Sequence, residues 1–277
     1  MGKVVTYQNH RKSLIRRIID RWHLYLMMLP ALAYIILFRF KPLYGIQIAF
    51  KDYNIRSGIW ESEWIGFDNF LRLFSSHTFP LALKNTFIIN IVELLINFPF
   101  PIILALCINE VTNKRVKKTL QTVYYGPHFI STVVICGMVI MFLSPSYGVI
   151  NKFIELFGGE SIPFMQEPGL FKYIFSLSGV WQNAGWGTVI YMSALSAVDQ
   201  SLLEAAEMDG ASRFQRLRYI NLPVIVPTIS ILLILECGKL LSLGYQKVLL
   251  LQNSANLSGS EVLSTYIYKL GRRNPER

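Results

Sequence analysis

Five stretches of this chain are too long and too apolar to coat the surface of a water-soluble domain. His23 to about Phe40 carries no charge between Leu24 and Phe38, and Arg39 and Lys41 stand where their long stems can reach outward from its end. Asn85 to Asn109 holds a single charge, Glu93. Thr119 to Asn151 is uncharged throughout, with Pro127 and Pro145 as its expected limits, and Tyr173 to Val198 is uncharged as well. A fifth run begins near Pro223 and reaches about Leu243, interrupted by Glu236 and Lys239. A helix of about 20 such residues crosses the hydrocarbon core of a bilayer. One domain has no interior large enough to bury five of them. The expected fold is therefore all-α, a polytopic membrane helical bundle with five visible spans.

Composition closes off the other classes. Charged residues make up 16% of the chain against about 25% in an ordinary soluble domain, and 52% of residues are hydrophobic, which excludes a disordered chain. Three cysteines are too few for a disulfide framework. Ala31-Leu32-Ala33 imitates the cleavage site of a secretory signal, but Tyr34 to Phe38 carries the apolar run straight through it, as an uncleaved first span does.

The net charge of +10 could point to nucleic acid, but the positions of the basic residues explain it otherwise. Lys3, Arg11, Lys12, Arg16, Arg17 and Arg21 precede the first run; Lys114, Arg115, Lys117 and Lys118 separate the second from the third; Arg213, Arg216 and Arg218 separate the fourth from the fifth. Residues 39–84 hold six basic residues spread among Asp52, Glu61, Glu63 and Asp68, and residues 148–172 hold only Lys152 and Lys172. Short cytoplasmic loops concentrate Lys and Arg. The alternation puts the N-terminus inside and residues 39–84 and 148–172 outside, with no role for nucleic acid. Lys269, Arg272, Arg273 and Arg277 then fall on the outer side, against the rule, because neither Val248–Leu251 nor Val262–Ile267 is long enough to return the chain. The reading divides the chain into a basic N-terminal segment (1–22), a membrane domain (23–243) and an outer C-terminal segment (244–277).

The cytoplasmic stretch 201–218 is expected to be a short helix, a glycine turn and a second short helix. Ser201 and Glu204 have the spacing of a capping box, Gly210 suits the left-handed position past a helix end, and Ser212 can start the next helix, which ends before Pro223 opens the fifth span. Ala205 and Ala206 let another backbone come close.

Glu204-Ala205-Ala206, then Gly210 after three residues, then Ile220, Leu222 and Pro223 after nine more, resembles the EAA loop of ABC importer permeases of the type I fold. The resemblance implies that Glu204, Ala205, Ala206 and Gly210 form a coupling helix docking on a separate ATPase subunit, while Ile220, Leu222 and Pro223 lead into the next span. Pro30 to Phe38, Pro42 to Tyr53, Trp64 to Phe70 and Trp181 to Gly187 are similar to segments of polysaccharide- and oligosaccharide-type sugar permeases, so the resemblance covers roughly residues 22–270. It implies a multi-pass subunit of a bacterial cell membrane. Its partners would be ATPase subunits, a second permease, an extracellular or lipid-anchored solute-binding protein and a sugar. Permeases of this family continue past Tyr266–Gly271 into a sixth span, whereas this chain stops at Arg277, so a truncated or frame-shifted polypeptide is expected.

Trp181, Gln182, Asn183 and Trp186 offer amides for hydroxyls and rings for sugar faces, although tryptophans at a membrane boundary are equally interfacial anchors. Glu93 and Glu236 are intramembrane carboxylates, which line a path or bond a neighbour, and Lys239 stands three residues from Glu236 on the same face. Gly179, Ala184, Gly185 and Gly187 fit close helix packing, and Cys107, Cys136 and Cys237 are expected to be free buried thiols. His10, His23, His77 and His128 have no metal-ligand spacing, no phosphate-binding glycine loop occurs, and no nucleophile–base set stands out. The expectation is a transporter without cofactor or enzymatic site. The alternatives are an importer of another solute, a secondary transporter or channel using Glu93, or a non-transporting fragment.

Overall fold

The structure is a computed structural model and describes residues 20–273, which fall into two compact units that meet in sequence between Ser75 and Ser76. The basic residues before Asp20, and Arg277, lie outside the described residues.

In the first unit, helix α1 (Trp22–Phe50) runs ten residues beyond the predicted end near Phe40. Pro42 does not stop it. A proline removes one N–H and crowds the carbonyl a turn earlier, and here the preceding turn, Ile36–Phe40, widens so that the Lys41 N–H reaches back five residues to the Ile36 carbonyl. Beyond α1 the chain folds onto itself: Lys51 pairs with Trp64 as an isolated antiparallel bridge, and Phe50 stacks on Trp64 with centroids 5.6 Å apart. Phe67 and Phe70, the latter from α2 (Asp68–Ser75), pack on the same ring at 5.5 and 5.3 Å. The Asn69 amide donates to the Ala49 and Lys51 carbonyls. The Pro42–Tyr53 and Trp64–Phe70 segments are thus two halves of one small packing unit.

The second unit is helical throughout its described elements. Helix α3 (Thr78–Asn109) is followed by α4 (Lys114–Phe129) and α5 (Thr132–Phe142), which meet at 97°. Pro127 sits in that bend rather than at the end of a span. After α6 (Val149–Leu156) comes α7 (Phe171–Leu195), the central element, packed against α3, α4 and the Leu222–Cys237 helix. Helix α8 (Gln200–Met208) precedes α9 (Arg213–Cys237), and α10 (Tyr245–Leu251) and α11 (Leu263–Arg273) close the unit.

By length and apolarity α1, α3 and α9 can cross a membrane, and the bent pair α4–α5 makes a further candidate; α7, the fourth predicted span, is 25 residues long but more polar. Its polarity faces inward. Ser176 and Thr188 are fully buried, and each hydroxyl is satisfied within its own helix, by the Lys172 and Gly185 carbonyls. Small residues bring the neighbours in: a Cβ on Gly185 would stand 1.9 Å from the Tyr124 carbonyl oxygen, and one on Gly187 would stand 3.0 Å from Pro101. Where lipid replaces water, such close packing and satisfied hydrogen bonds hold helices together, since leaving lipid gains an apolar side chain little.

Two cores result. Ala105, Leu106, Tyr191, Leu195 and Ile225 join α3, α7 and α9. Ile89, Cys136, Phe171 and Phe175 join Val248, Leu251 and Val262, so residues 244–273 share the bundle's core. Their polar groups are equally engaged: Asn85 donates to the Ser258 and Glu261 carbonyls, and Thr86 accepts from the Leu263 N–H. Lys269, the basic residue that ran against the charge rule, pairs with the buried Glu261 at 2.5 Å and donates to the Gln252 amide at 2.6 Å. Of the cysteines, only Cys136 is buried; Cys107 and Cys237 are exposed, because their helices turn those positions away from the two cores.

Candidate functional site

The second unit carries two features that could do work: a polar cavity among α3, α7, α9 and α10, and the exposed loop around α8.

The cavity encloses about 700 Å³ and is lined by Asn90, Glu93 and Asn97 of α3, by Phe175, Gly179, Gln182 and Asn183 of α7, by Glu236 and Lys239 at the end of α9, and by Lys247 of α10. Helical spacing explains the α3 set, because residues three or four apart share one face. Glu236 and Lys239 close on each other at 2.7 Å, as their spacing implied. Glu93 accepts from the Asn97 amide at 3.2 Å. Lys247 lies 4.3 Å above the Phe175 ring and donates to the Phe175 carbonyl at 2.8 Å. Gly179 makes room for both, since a Cβ there would stand 2.9 Å from the Asn97 amide nitrogen and 3.3 Å from the Lys247 ammonium.

The structure brings Glu93, Gln182 and Asn183 to this cavity but keeps Trp181 and Trp186 out of its lining. Trp181 falls on another face of α7, whereas Trp186 shares the face of Gln182 and Asn183, four and three residues before it. Trp186 instead stacks flat on His128 with centroids 4.8 Å apart, and His128 Nδ1 lies 3.1 Å from Asn183 Oδ1. Gln182 donates to the Ile130 carbonyl at 3.3 Å, so both amides also brace the α4–α5 bend. Two lining residues, Asn97 and Lys247, escaped the sequence reading. A lone Lys beside Val248–Leu251 was the available signal for the second.

The loop differs from its predicted form at the start of α8. Asp199, not Ser201, is the N-cap: its carboxylate accepts from the Ser201 N–H at 2.9 Å, and no Ser201–Glu204 capping box forms. Asp caps as well as Ser does, and standing two residues earlier it captures the helix first. The hydrogen bonds from Ser201, side chain first and backbone second, hold the Asp199 carboxyl below its ordinary range. At the other end Gly210 takes φ 77°, the Ala211 N–H reaches the Ala206 carbonyl at 2.9 Å and the Gly210 N–H reaches that of Glu207 at 3.1 Å. That is a helix end closed by a left-handed glycine. The capping box of the region joins Ser212 and Gln215.

Pro223 does not open a new span. Helix α9 starts at Arg213 and runs through it, and as at Pro42 the turn before the proline, Leu217–Asn221, is widened, with the Leu222 N–H bonded to the Leu217 carbonyl. Leu222 packs against the Ala105–Ile225 core, Ile220 is half-buried and Pro223 is exposed. Asn221, buried beside them, donates to Glu110 Oε1 at 3.3 Å. Nothing in α8 is buried: Glu204 and Ala205 are exposed, Ala206 is half-buried, and Met208 is 87% exposed. An Arg216–Glu207 ion pair of 2.8 Å ties α8 to α9.

Residues 97–244, which contain α7, the loop and α9, match the family described as binding-protein-dependent transport system inner membrane component. The chain is 44% identical over 268 residues to the polygalacturonan/rhamnogalacturonan transport system permease protein YteP of Bacillus subtilis, covering 97% of this chain and 84% of that one. The chain belongs to this permease family. Protein LplB of the same organism is 42% identical over 252 residues, 91% of this permease and 79% of LplB. Among solved structures, a chain of a bacterial alginate ABC transporter, crystallised with an alginate pentasaccharide-bound periplasmic protein, superposes with TM-score 0.85 at 40% identity, covering 95% of this permease and 88% of that chain. The family is one of transport components and not of enzymes.

Proposed function

We propose that this permease is the membrane subunit of an ATP-driven importer of oligosaccharides, and specifically of fragments of uronate-containing polysaccharides. The N-terminal segment, residues 110–118 and the α8 loop face the cytoplasm in this reading, and residues 148–172 and 251–262 face outward. Glu204, Ala205, Ala206 and Gly210 form the docking element for a separate ATPase, and Ile220, Leu222 and Pro223 join it to the wall of the path. A second permease chain and a solute-binding protein complete the assembly, and Glu93, Gln182 and Asn183 line the sugar's path.

The exposed α8 carries the docking part of the proposal. A nine-residue helix capped at both ends, buried nowhere and showing Leu202 and Met208 to solvent, is a poor end product of folding on its own account. Exposed apolar side chains on an ordered element mark a surface that another protein covers. The names of YteP and of the alginate transporter support an acidic polysaccharide as the source of the substrate.

The test is Glu204→Arg in the assembled transporter. The Glu204 side chain has no hydrogen bond or ion pair within the described residues, so the change should leave the permease's own melting temperature unaltered. It should abolish ATP-dependent sugar uptake and recovery of the ATPase with the tagged chain. Normal uptake by Glu204→Arg would refute the docking role.

A further inference from the structure

The cavity contains two pairs of opposite charge, and only one of them is closed. Glu236 and Lys239 neutralise each other at 2.7 Å. Glu93 and Lys247 line the same space and form no ion pair; each has a different partner, the Asn97 amide for Glu93 and the Phe175 carbonyl for Lys247. Lys247 has three N–H groups and uses one on Phe175, so two remain for a ligand. Glu93 uses one carboxylate oxygen on the Asn97 amide, so its other oxygen remains as an acceptor.

The donors and acceptors are arranged by sign. Lys247 offers N–H groups and positive charge, and the free oxygen of Glu93 offers lone pairs. Gly179 lies against Lys247 and against the Asn97 amide that holds Glu93, and any larger residue would crowd both. A neutral sugar would use the hydroxyl acceptors and leave the ammonium unmatched. A sugar bearing a carboxylate satisfies both sides, and Glu93 repels that carboxylate and so turns it towards Lys247.

We infer that Lys247 is the specificity-determining residue of the cavity: it takes the carboxylate of a uronic acid residue, while Glu93 accepts from one of its hydroxyls. The inference rests on the transport reading above and adds the group that selects the substrate.

The experiment is uptake by the complete transporter in proteoliposomes, with trigalacturonate and its methyl ester as paired probes. The ester removes the charge and adds one methyl to each carboxyl. Wild type should prefer the acid by about tenfold or more in kcat/KM, the range of one charge-assisted hydrogen bond. Lys247→Gln should erase the preference by raising KM for the acid while leaving the ester nearly unchanged, and Lys247→Arg should keep it. Equal loss on both probes, or no loss on either, overturns the assignment. Glu93→Gln provides a second arm, needed if Lys247→Gln does not assemble: removing the opposing charge should lower KM for the acid relative to the ester, and an unchanged ratio overturns the inference. Absence of uptake of both probes by wild type, with ATP and binding protein present, overturns the transport reading itself, and the assignment falls with it.

Discussion

Gly185→Ala is the smallest change that should disrupt the bundle. The added methyl would stand 1.9 Å from the Tyr124 carbonyl oxygen, 2.4 Å from its carbon and 3.1 Å from its Cβ. Two of those three atoms are backbone, so no rotamer change relieves the clash. Ordinary contact requires α7 and α4 to move apart by about 1.5 Å, in an interior packed as densely as an organic crystal. Overpacking of this kind costs about 1–3 kcal/mol, and a backbone obstacle belongs at the upper end. Against this, Ala is the better helix former by about 1 kcal/mol, so the net loss should be about 1–2 kcal/mol. For a chain of this size that corresponds to a melting temperature lower by about 2–8 °C. The assay is thermal unfolding in mild detergent followed by tryptophan fluorescence, with Gly137→Ala of α5 as the control, because a Cβ there meets nothing within 4 Å. The control should melt at or slightly above the wild-type temperature. If Gly185→Ala melts with the control, α7 and α4 are not in contact at Gly185 and the packing argument fails.

Two further outcomes are expected. Lys269→Met leaves Glu261, 4% exposed, as a buried carboxylate with its cation gone; breaking a buried pair from one side costs about 3–5 kcal/mol, and the 31% exposure of Lys269 puts this case at the low end. Lys269→Met/Glu261→Leu should regain most of the loss, which detergent melts of both variants will measure. Asp199 has its folded-state carboxyl pKa below the unfolded value, so its capping contribution is present above the unfolded pKa and disappears as pH falls through the folded one. Amides of residues 200–204 should therefore exchange faster in acid than the intrinsic pH dependence predicts, and Asp199→Ala should show that fast exchange already at neutral pH.

The long apolar runs were legible as helices because hydrophobic length is a bulk property that neighbours cannot disguise. Their ends were not. Pro42, Pro127 and Pro223 read as punctuation, yet a five-residue turn ahead of Pro42 and Pro223 lets the helix absorb the missing N–H, and Pro127 lies within a bend. The glycine end of α8 was readable because φ 77° needs glycine; its start was misassigned because Asp199 and Ser201 compete for the same free N–H groups. In the cavity, Glu93 stood out as the single charge of its run. Lys247 did not, because its significance depends on Asn97 and Phe175, residues distant in sequence. Trp181 and Trp186 suggested sugar stacking by composition alone; Trp181 falls on another face of α7, and Trp186, which shares the face of Gln182 and Asn183, is taken up by His128, a residue distant in sequence. The short apolar pieces after Leu243 are too short to cross a membrane, and they complete a core begun by Ile89 and Phe171.

Helix α9 passes without interruption from Arg213, three residues past the glycine turn, to Glu236 in the cavity lining. From the middle of the Leu217–Asn221 turn to Glu236 is about 17 residues, roughly 25 Å at 1.5 Å per residue, so a tilt of 5° about that turn would swing the far end by about 2 Å. The widened turn at Leu217–Asn221, where the ladder of hydrogen bonds skips a residue, is the natural fulcrum, and buried Asn221 pins it to Glu110. On the transport proposal, a push on α8 would reach Glu236 along the helix itself, as a displacement comparable with the length of a hydrogen bond.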